Sequence, residues 1–243
     1  MEDISMIYRY SFTINSHSCD YNGVARPSAV MTYLQEAANL QVKTYGPTYE
    51  EMKQNGQFFV LSRIGVSLSS PLYAYEELEA ETWAVPSRGF SFLRRHRILR
   101  AGQPICEATS VWALLDMASR RPLRVTEYQP GFTCEEDAGV TLPDRIRLGK
   151  EGLTPLGKYT VRYADTDQNE HMNNTMYADM LCGFLDLHGK YVNRFSINYF
   201  QEAPIGTHLE ILGEVGEGGE QLFRSVREDG ETNVEASFSI ITL

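Results

Sequence analysis

The chain has 243 residues, 42% of them hydrophobic and 22% charged, with a formal net charge of −10. That length holds one large domain or two modest ones, and no run approaches the roughly 18 to 20 apolar residues of a membrane span, so a soluble protein is expected. The acidic balance argues against nucleic acid, whose phosphates are met by Lys and Arg, and leaves a small molecule or a protein as the partner.

The N-terminal stretch carries Glu2 and Asp3 and no basic segment leading into an apolar one, which is unlike a secretory signal and points to the cytoplasm. Tyr8 to Ile14 alternates as a strand does. Pro27 to Gln41 then reads as a helix. Val30, Leu34, Ala37, Ala38 and Gln41 give it an inward face, and Pro27 suits a first turn, where no amide bond is lost. Four β-type runs follow, from Phe58 to Leu68, Leu78 to Val85, Phe90 to Leu99 and Ile105 to Asp116. Glu135 to Leu153 mixes acids, Gly, Pro143 and basic residues without a period and reads as a linker. The plan then returns, with an alternating run at Tyr159 to Tyr163 and a helix expected to open at Asn173 or Asn174, both good caps. Met176, Met180, Leu181, Phe184 and Leu185 are expected on its inward face, and four strands follow within 191–200, 209–215, 221–228 and 233–241. Cys19, Cys106, Cys134 and Cys182 are scattered and form no CxxC pair, so neither a disulfide framework nor a zinc site is expected.

The return is a duplication. Asp20, Asn22 and Leu34 correspond to Asp167, Asn169 and Leu181, an offset of 147 in each case. The unit is one strand, one long helix and a meander of strands. A helix apolar over much of its surface needs cover on most sides, and a curved antiparallel sheet wrapped round it supplies that cover. The expected fold class is therefore α+β, two tandem hotdog domains at 1–134 and 154–243 joined by a linker at 135–153. The two are expected to form a pseudo-dimer with a site near their junction. The alternative is two unrelated α+β domains that share a turn.

These residues resemble the acyl-carrier-protein thioesterases of plants and bacteria over most of the chain. Phe59-Val-Leu-Ser-Arg63, Glu81-Thr-Trp83 and Glu107-Ala-Thr-Ser-Val-Trp112 look like the family's strand motifs. Asp116 to Arg124 resembles its basic turn, and Asp167-Gln-Asn-Glu-His-Met-Asn-Asn174 followed by Tyr177 is similar to its most specific signature. The resemblance implies a double-hotdog fold and hydrolysis of fatty acyl thioesters on acyl carrier protein, without a cofactor or metal.

Hydrolysing a thioester needs a held water, a group to take its proton, and donors where charge grows on the carbonyl oxygen. Asp167, Asn169 and His171 alternate, so an extended segment would turn all three towards one region. The helix beyond them opens with unpaired amides, which makes Asn173 and Asn174 candidate substrate contacts. The resemblance adds Glu202, in Tyr199-Phe-Gln-Glu202-Ala203, as the family's catalytic glutamate. Many plant members follow that glutamate with a cysteine once proposed as nucleophile; here the residue is Ala203, which favours attack by water. The sequence leaves open which of Asp167, His171 and Glu202 is the base, and whether a carboxylate attacks directly to give an anhydride. Asp-x-Asn before a helix is also ordinary turn and capping chemistry. The first copy has Val24 where the second has His171, so a single active half is expected, with Asp20 and Asn22 keeping only a turn role.

Acyl carrier protein is itself acidic, so docking needs a local basic surface. Two clusters qualify: Arg88 with Arg94, Arg95, Arg97 and Arg100, and Arg120 with Arg121 and Arg124. The acyl chain needs an apolar tunnel, for which Val30, Leu34, Phe58 and Phe59 of the first half are candidates. Two rival readings are an acyl-coenzyme A thioesterase and a silent acyl-binding hotdog protein, and the sequence is compatible with a homodimer.

Overall fold

A computed structural model describes residues 7–127, 133–134, 145–149 and 152–243. The expected linker at 135–153 lies outside the described residues except for 145–149, 152 and 153, as does the acidic start at Glu2 and Asp3. The chain divides into two compact units. The first comprises Met1–Ile14, Thr32–Leu68 and Tyr75–Leu142, and the second Asn15–Met31, Ser69–Ala74 and Pro143–Leu243. Thus two short pieces of the sequence's first half group with the second unit.

In the first unit an antiparallel sheet is built from β1 (Tyr8–Thr13), β2 (Gln57–Leu68), β3 (Glu77–Arg88), β4 (Ser91–Arg100) and β5 (Gln103–Asp116). They run in the order β1-β3-β4-β5-β2, and the short β6 (Pro122–Leu123) pairs with β5. Helix α1 (Pro27–Tyr45), which belongs to this unit from Thr32 onward, opens at the proline and buries Val30, Leu34, Ala37, Ala38 and Gln41, the face read from their spacing. Phe12 of β1 stacks on Tyr33 of α1 with centroids 4.2 Å apart. A short α2 (Tyr49–Gln54) begins in a reciprocal capping box between Thr48 and Glu51, a threonine-to-glutamate spacing that the sequence already displays.

The second unit repeats the arrangement with β7 (Thr154–Thr160), β8 (Lys190–Tyr199), β9 (His208–Val215), β10 (Gln221–Arg227) and β11 (Thr232–Thr242), in the order β8-β11-β10-β9-β7. Phe195, Phe223 and Phe238 are fully buried and meet at 5.8 and 5.7 Å. Each contributes about 1.5–3 kcal/mol by leaving water. The expected long helix is not formed here: α3 (Met176–Cys182) has seven residues. It stops at Gly183, whose amide bonds back to the carbonyls of Asp179 and Met180, and Phe184 and Leu185 continue as a turn outside it. Phe184 packs over Gly157 of β7, where a Cβ would sit 2.9 Å from its ring.

The duplication is carried down to individual hydrogen bonds. In the first copy, Asp20 receives the amide of Asn22 on its carboxylate and gives its own amide to the carbonyl of Val24. Asp167 does the same with Asn169 and His171. The residue before each turn's end has positive φ, 75° at Gly23 and 64° at Glu170. Asn22 does more than make a turn, contrary to expectation. Its side chain donates to the carbonyls of Leu187 (2.7 Å) and Lys190 (3.0 Å) and accepts from the amide of Gly189 (3.1 Å). That clamp is one reason why Asn15–Met31 groups with the second unit.

Candidate active site

The segment 166–172 is a turn rather than the extended stretch expected from its alternation. Glu170 donates to the Asp167 carbonyl at 3.0 Å, and an isolated antiparallel bridge joins Thr166 to Met172. The turn still delivers His171 to the site, because His171 pairs with Pro204 and the amide of Met172 donates to the carbonyl of Ala203 at 2.9 Å. Those contacts bring together residues 31 positions apart in sequence: His171 Nε2 lies 3.8 Å from Glu202 Oε1. The imidazole is 22% exposed and the carboxylate 51%. On the other side of the ring, Nδ1 lies 3.3 Å from the Met172 carbonyl, which can only accept, so the proton of a neutral His171 sits on Nδ1 and Nε2 faces Glu202 as an acceptor.

Asp167 and Asn169 play a different geometric part. The Asp167 carboxylate is occupied by the amide of Asn169 at 2.8 Å, and Asn169 is exposed. Asn173 is committed internally: its amide donates to the Asp165 carbonyl, and its Oδ1 accepts from both the amide and the hydroxyl of Thr175 at 2.9 Å. Thr175, not an asparagine, is therefore the residue that opens α3. The Asn174 carbonyl receives the Tyr199 hydroxyl at 2.8 Å, while its amide meets no acceptor among the described residues. The position 147 residues earlier is Pro27, which has no amide proton to offer.

Sequence reading missed Asp165. It is 6% exposed, accepts the Tyr159 hydroxyl at 2.8 Å and the Arg162 amide at 2.7 Å, and so anchors the entry to the turn. Burial, with the Asp165 bond and charge behind it, pushes the Tyr159 hydroxyl up to about 12. The signal for it was Asp165-Thr-Asp167, where only the second acid was read as part of the site.

Of the tunnel candidates, Val30 and Leu34 are each 1% exposed. Phe59 packs with Met52, Phe92 and Leu114, its ring edge-on to Phe92 at 5.1 Å. Its strand neighbour Phe58 projects from the other face and carries the Arg120 guanidinium 5.1 Å above its ring, so the two phenylalanines do not share a lining. The arginine clusters separate as well. Arg94 donates to Gln41 and Thr82, Arg95 to Thr109, Arg97 to Glu81, and Arg100 to Glu76, all half-buried. Arg88, Arg120, Arg121 and Arg124 are exposed, and Arg124 lies 4.9 Å over Phe90.

Residues 5–129 match the model of the acyl-ACP thioesterase N-terminal domain, and residues 154–240 match that of the C-terminal domain. The chain belongs to the acyl-ACP thioesterase family. A palmitoyl-acyl carrier protein thioesterase of Arabidopsis thaliana is 28% identical over 197 residues, covering 71% of this chain and 45% of the relative. A dodecanoyl-[acyl-carrier-protein] hydrolase of Cinnamomum camphora is 24% identical, over 89% of this chain and 61% of the relative. The chain thus spans about half to three-fifths of the length of these curated relatives. In backbone it follows an acyl-ACP thioesterase from Bacteroides thetaiotaomicron with a TM-score of 0.91 and 22% identity, over 99% of this chain and 100% of the other. It follows the 12:0-ACP thioesterase from Umbellularia californica at 0.85 and 19%, over 98% of each. Both likenesses establish the double-hotdog fold of this acyl-ACP thioesterase family member.

A thiol route finds little support at this site. Ala203 is fully buried beside Glu202. Burial first, then the charges of Asp179 and Asp20, push the thiol of Cys182 well up, so it stays protonated. Cys182→Ser is expected to keep wild-type hydrolysis of an acyl thioester, and loss of turnover in a folded Cys182→Ser protein would restore a cysteine to the chemistry.

Proposed function

We propose that the protein hydrolyses the thioester of fatty acyl-[acyl carrier protein], releasing a free fatty acid, by attack of water at the His171–Glu202 pair. The observation that carries this reading is the 3.8 Å separation of two acceptors, Nε2 and Oε1, at the rim of the second unit. That distance is too long for a direct hydrogen bond. It suits a water that donates one proton to each, with a lone pair left for the acyl carbon.

In the step that follows, the water oxygen bonds to the thioester carbon, and one of its protons passes to Glu202 or His171. The carbonyl oxygen takes the negative charge and draws on the unpaired Asn174 amide. The tetrahedral species then expels the thiolate, and the proton taken from water goes to the departing sulfur. Asp167 and Asn169 hold the turn that presents His171. Pro27 and Val24 stand where the first copy would need an amide and an imidazole, which supports a single active half. The same proposal leads the acyl chain to apolar side chains of the first unit, with Leu34 and Phe59 as candidates, and needs no cofactor or metal.

The carrier partner is read from charge. Arg120, Arg121 and Arg124 are exposed on a chain of net charge −10, whereas the Arg94 to Arg100 cluster is already bonded within its own unit. Reversing all three to Glu is expected to lower kcat/KM on acyl-[acyl carrier protein] by about 10-fold or more. The rate on the matched acyl-coenzyme A should be unchanged. Equal losses on both carriers would remove these arginines from docking, and equal wild-type rates on both would favour a coenzyme A substrate.

A further inference from the structure

One buried hydrogen-bond system touches both parts of this site and is used by neither the turn nor the His171–Glu202 pair. Asn233, fully buried on β11, accepts the amides of Phe200 (2.9 Å) and Gln201 (3.3 Å) on its main-chain carbonyl and donates from Nδ2 to the Gln201 carbonyl (2.5 Å). Those three bonds fix the main chain of the two residues just before Glu202. The Gln201 carbonyl can only accept, which decides the way round of the amide, and the Ser225 hydroxyl then donates to Asn233 Oδ1 at 2.9 Å. The same Nδ2 then donates to the Tyr177 hydroxyl of α3 at 3.2 Å.

Tyr177 is 2% exposed, and its ring stands edge-on to Tyr199 at 5.7 Å, the residue whose hydroxyl holds the Asn174 carbonyl. Because the Tyr177 oxygen accepts from Asn233, its own proton is left to donate, and among the described residues it meets no acceptor. Buried donors are rarely left so unless a ligand or water completes them. The hydroxyl is neutral under working conditions, since burial first, and the Glu202 carboxylate further, push it up to about 12 against the opposing Asn233 bond. Replacing Tyr177 by Phe removes only this oxygen, and Asn233 keeps its bond to Gln201.

We propose that Tyr177 donates a hydrogen bond to the attacking water and that Asn233 is a positioning residue, setting both the Tyr177 hydroxyl and the turn that carries Glu202. This rests on the water-attack reading above. The water gives its two protons to His171 and Glu202 and takes one bond from Tyr177, which leaves a single lone pair to attack.

The test is a double-mutant cycle on one acyl-[acyl carrier protein] substrate, with kcat, KM and the unfolding midpoint measured for Tyr177→Phe, Glu202→Gln, the double variant and Asn233→Ala. Tyr177→Phe is expected to lower kcat about 10- to 100-fold at unchanged KM, and to lower the midpoint by the same amount in both backgrounds, because the buried Asn233 Nδ2 loses an acceptor. In the Glu202→Gln background the same change is expected to cost less than about 2-fold, because the water it holds is no longer activated. Asn233→Ala, if folded, should lose at least as much kcat as Tyr177→Phe. An equal factor in both backgrounds, or wild-type kcat in Tyr177→Phe, would overturn the assignment even if Asn233→Ala does not fold. Wild-type activity in Glu202→Gln would instead overturn the underlying reading of the site.

Discussion

His171→Ala and Glu202→Ala are each expected to lower kcat by about 10² to 10⁴, the range of a positioned general acid or base. Neither side chain is part of the core: the imidazole is 22% exposed and the carboxylate 51%. Truncating exposed residues away from packed features costs little stability, so both variants should keep the wild-type unfolding midpoint and the loss should fall on the chemistry. The two groups are read as sharing one water, and a shared element makes losses non-additive. The double variant should therefore be about as slow as the slower single one, not slower by the product. Single-turnover hydrolysis of an acyl-[acyl carrier protein] would decide it. Full activity in either single variant would remove that residue from the mechanism, and multiplied losses would mean two independent roles.

What could be read from the residues depended on how local the signal was. Strand limits fell within a few residues almost throughout, because alternation and bounding Gly and Pro are nearest-neighbour features. The clearest departure was β7, which runs Thr154–Thr160 where the reading placed its strand at 159–163. The 147-residue offset located both Asx turns and marked Val24 against His171 as the difference between the copies. Its failure at α3 is instructive. The repeat predicted a long helix opening at Asn173 or Asn174 and reaching Leu185, but Asn173 is tied to Thr175, α3 opens only at Met176, and Phe184 and Leu185 bond back three residues, outside the helix that closes at Cys182. Glu202 came from family resemblance alone, since its nearness to His171 depends on the Met172–Ala203 and His171–Pro204 pairing, which no spacing rule contains. The pairing of Asn233 with Tyr177, 56 residues apart, was invisible for the same reason, although Tyr177 itself had been read as part of the signature. The Arg94 to Arg100 cluster looked like a basic surface until its partners on neighbouring strands and on α1 came into view.

The first unit's core makes a second strong prediction, about acid. His96 of β4 is 3% exposed and lies between two hydroxyls, Thr82 Oγ1 at 3.1 Å from Nδ1 and Ser110 Oγ at 3.0 Å from Nε2. Burial, and then the nearby Arg94 charge, push it down from 6.5 to about 3. Between those values the unfolded chain binds a proton that the folded chain refuses, so stability rises with pH across the window and is lost as pH falls through it. The loss should run at about 1.4 kcal/mol per pH unit and reach on the order of 4 to 5 kcal/mol near pH 3. Carboxylates also titrate there, so the quantity to measure is the difference in urea unfolding free energy between the wild-type protein and His96→Gln. That difference should shrink steadily from pH 6.5 downward, as the variant has no proton to gain at this position. In parallel, the His96 ring resonances of the folded protein should stay at their neutral shifts down to pH 4. A constant difference, or a ring that titrates near 6.5 in the folded protein, would show that the Thr82–His96–Ser110 chain opens to water and takes up the charge.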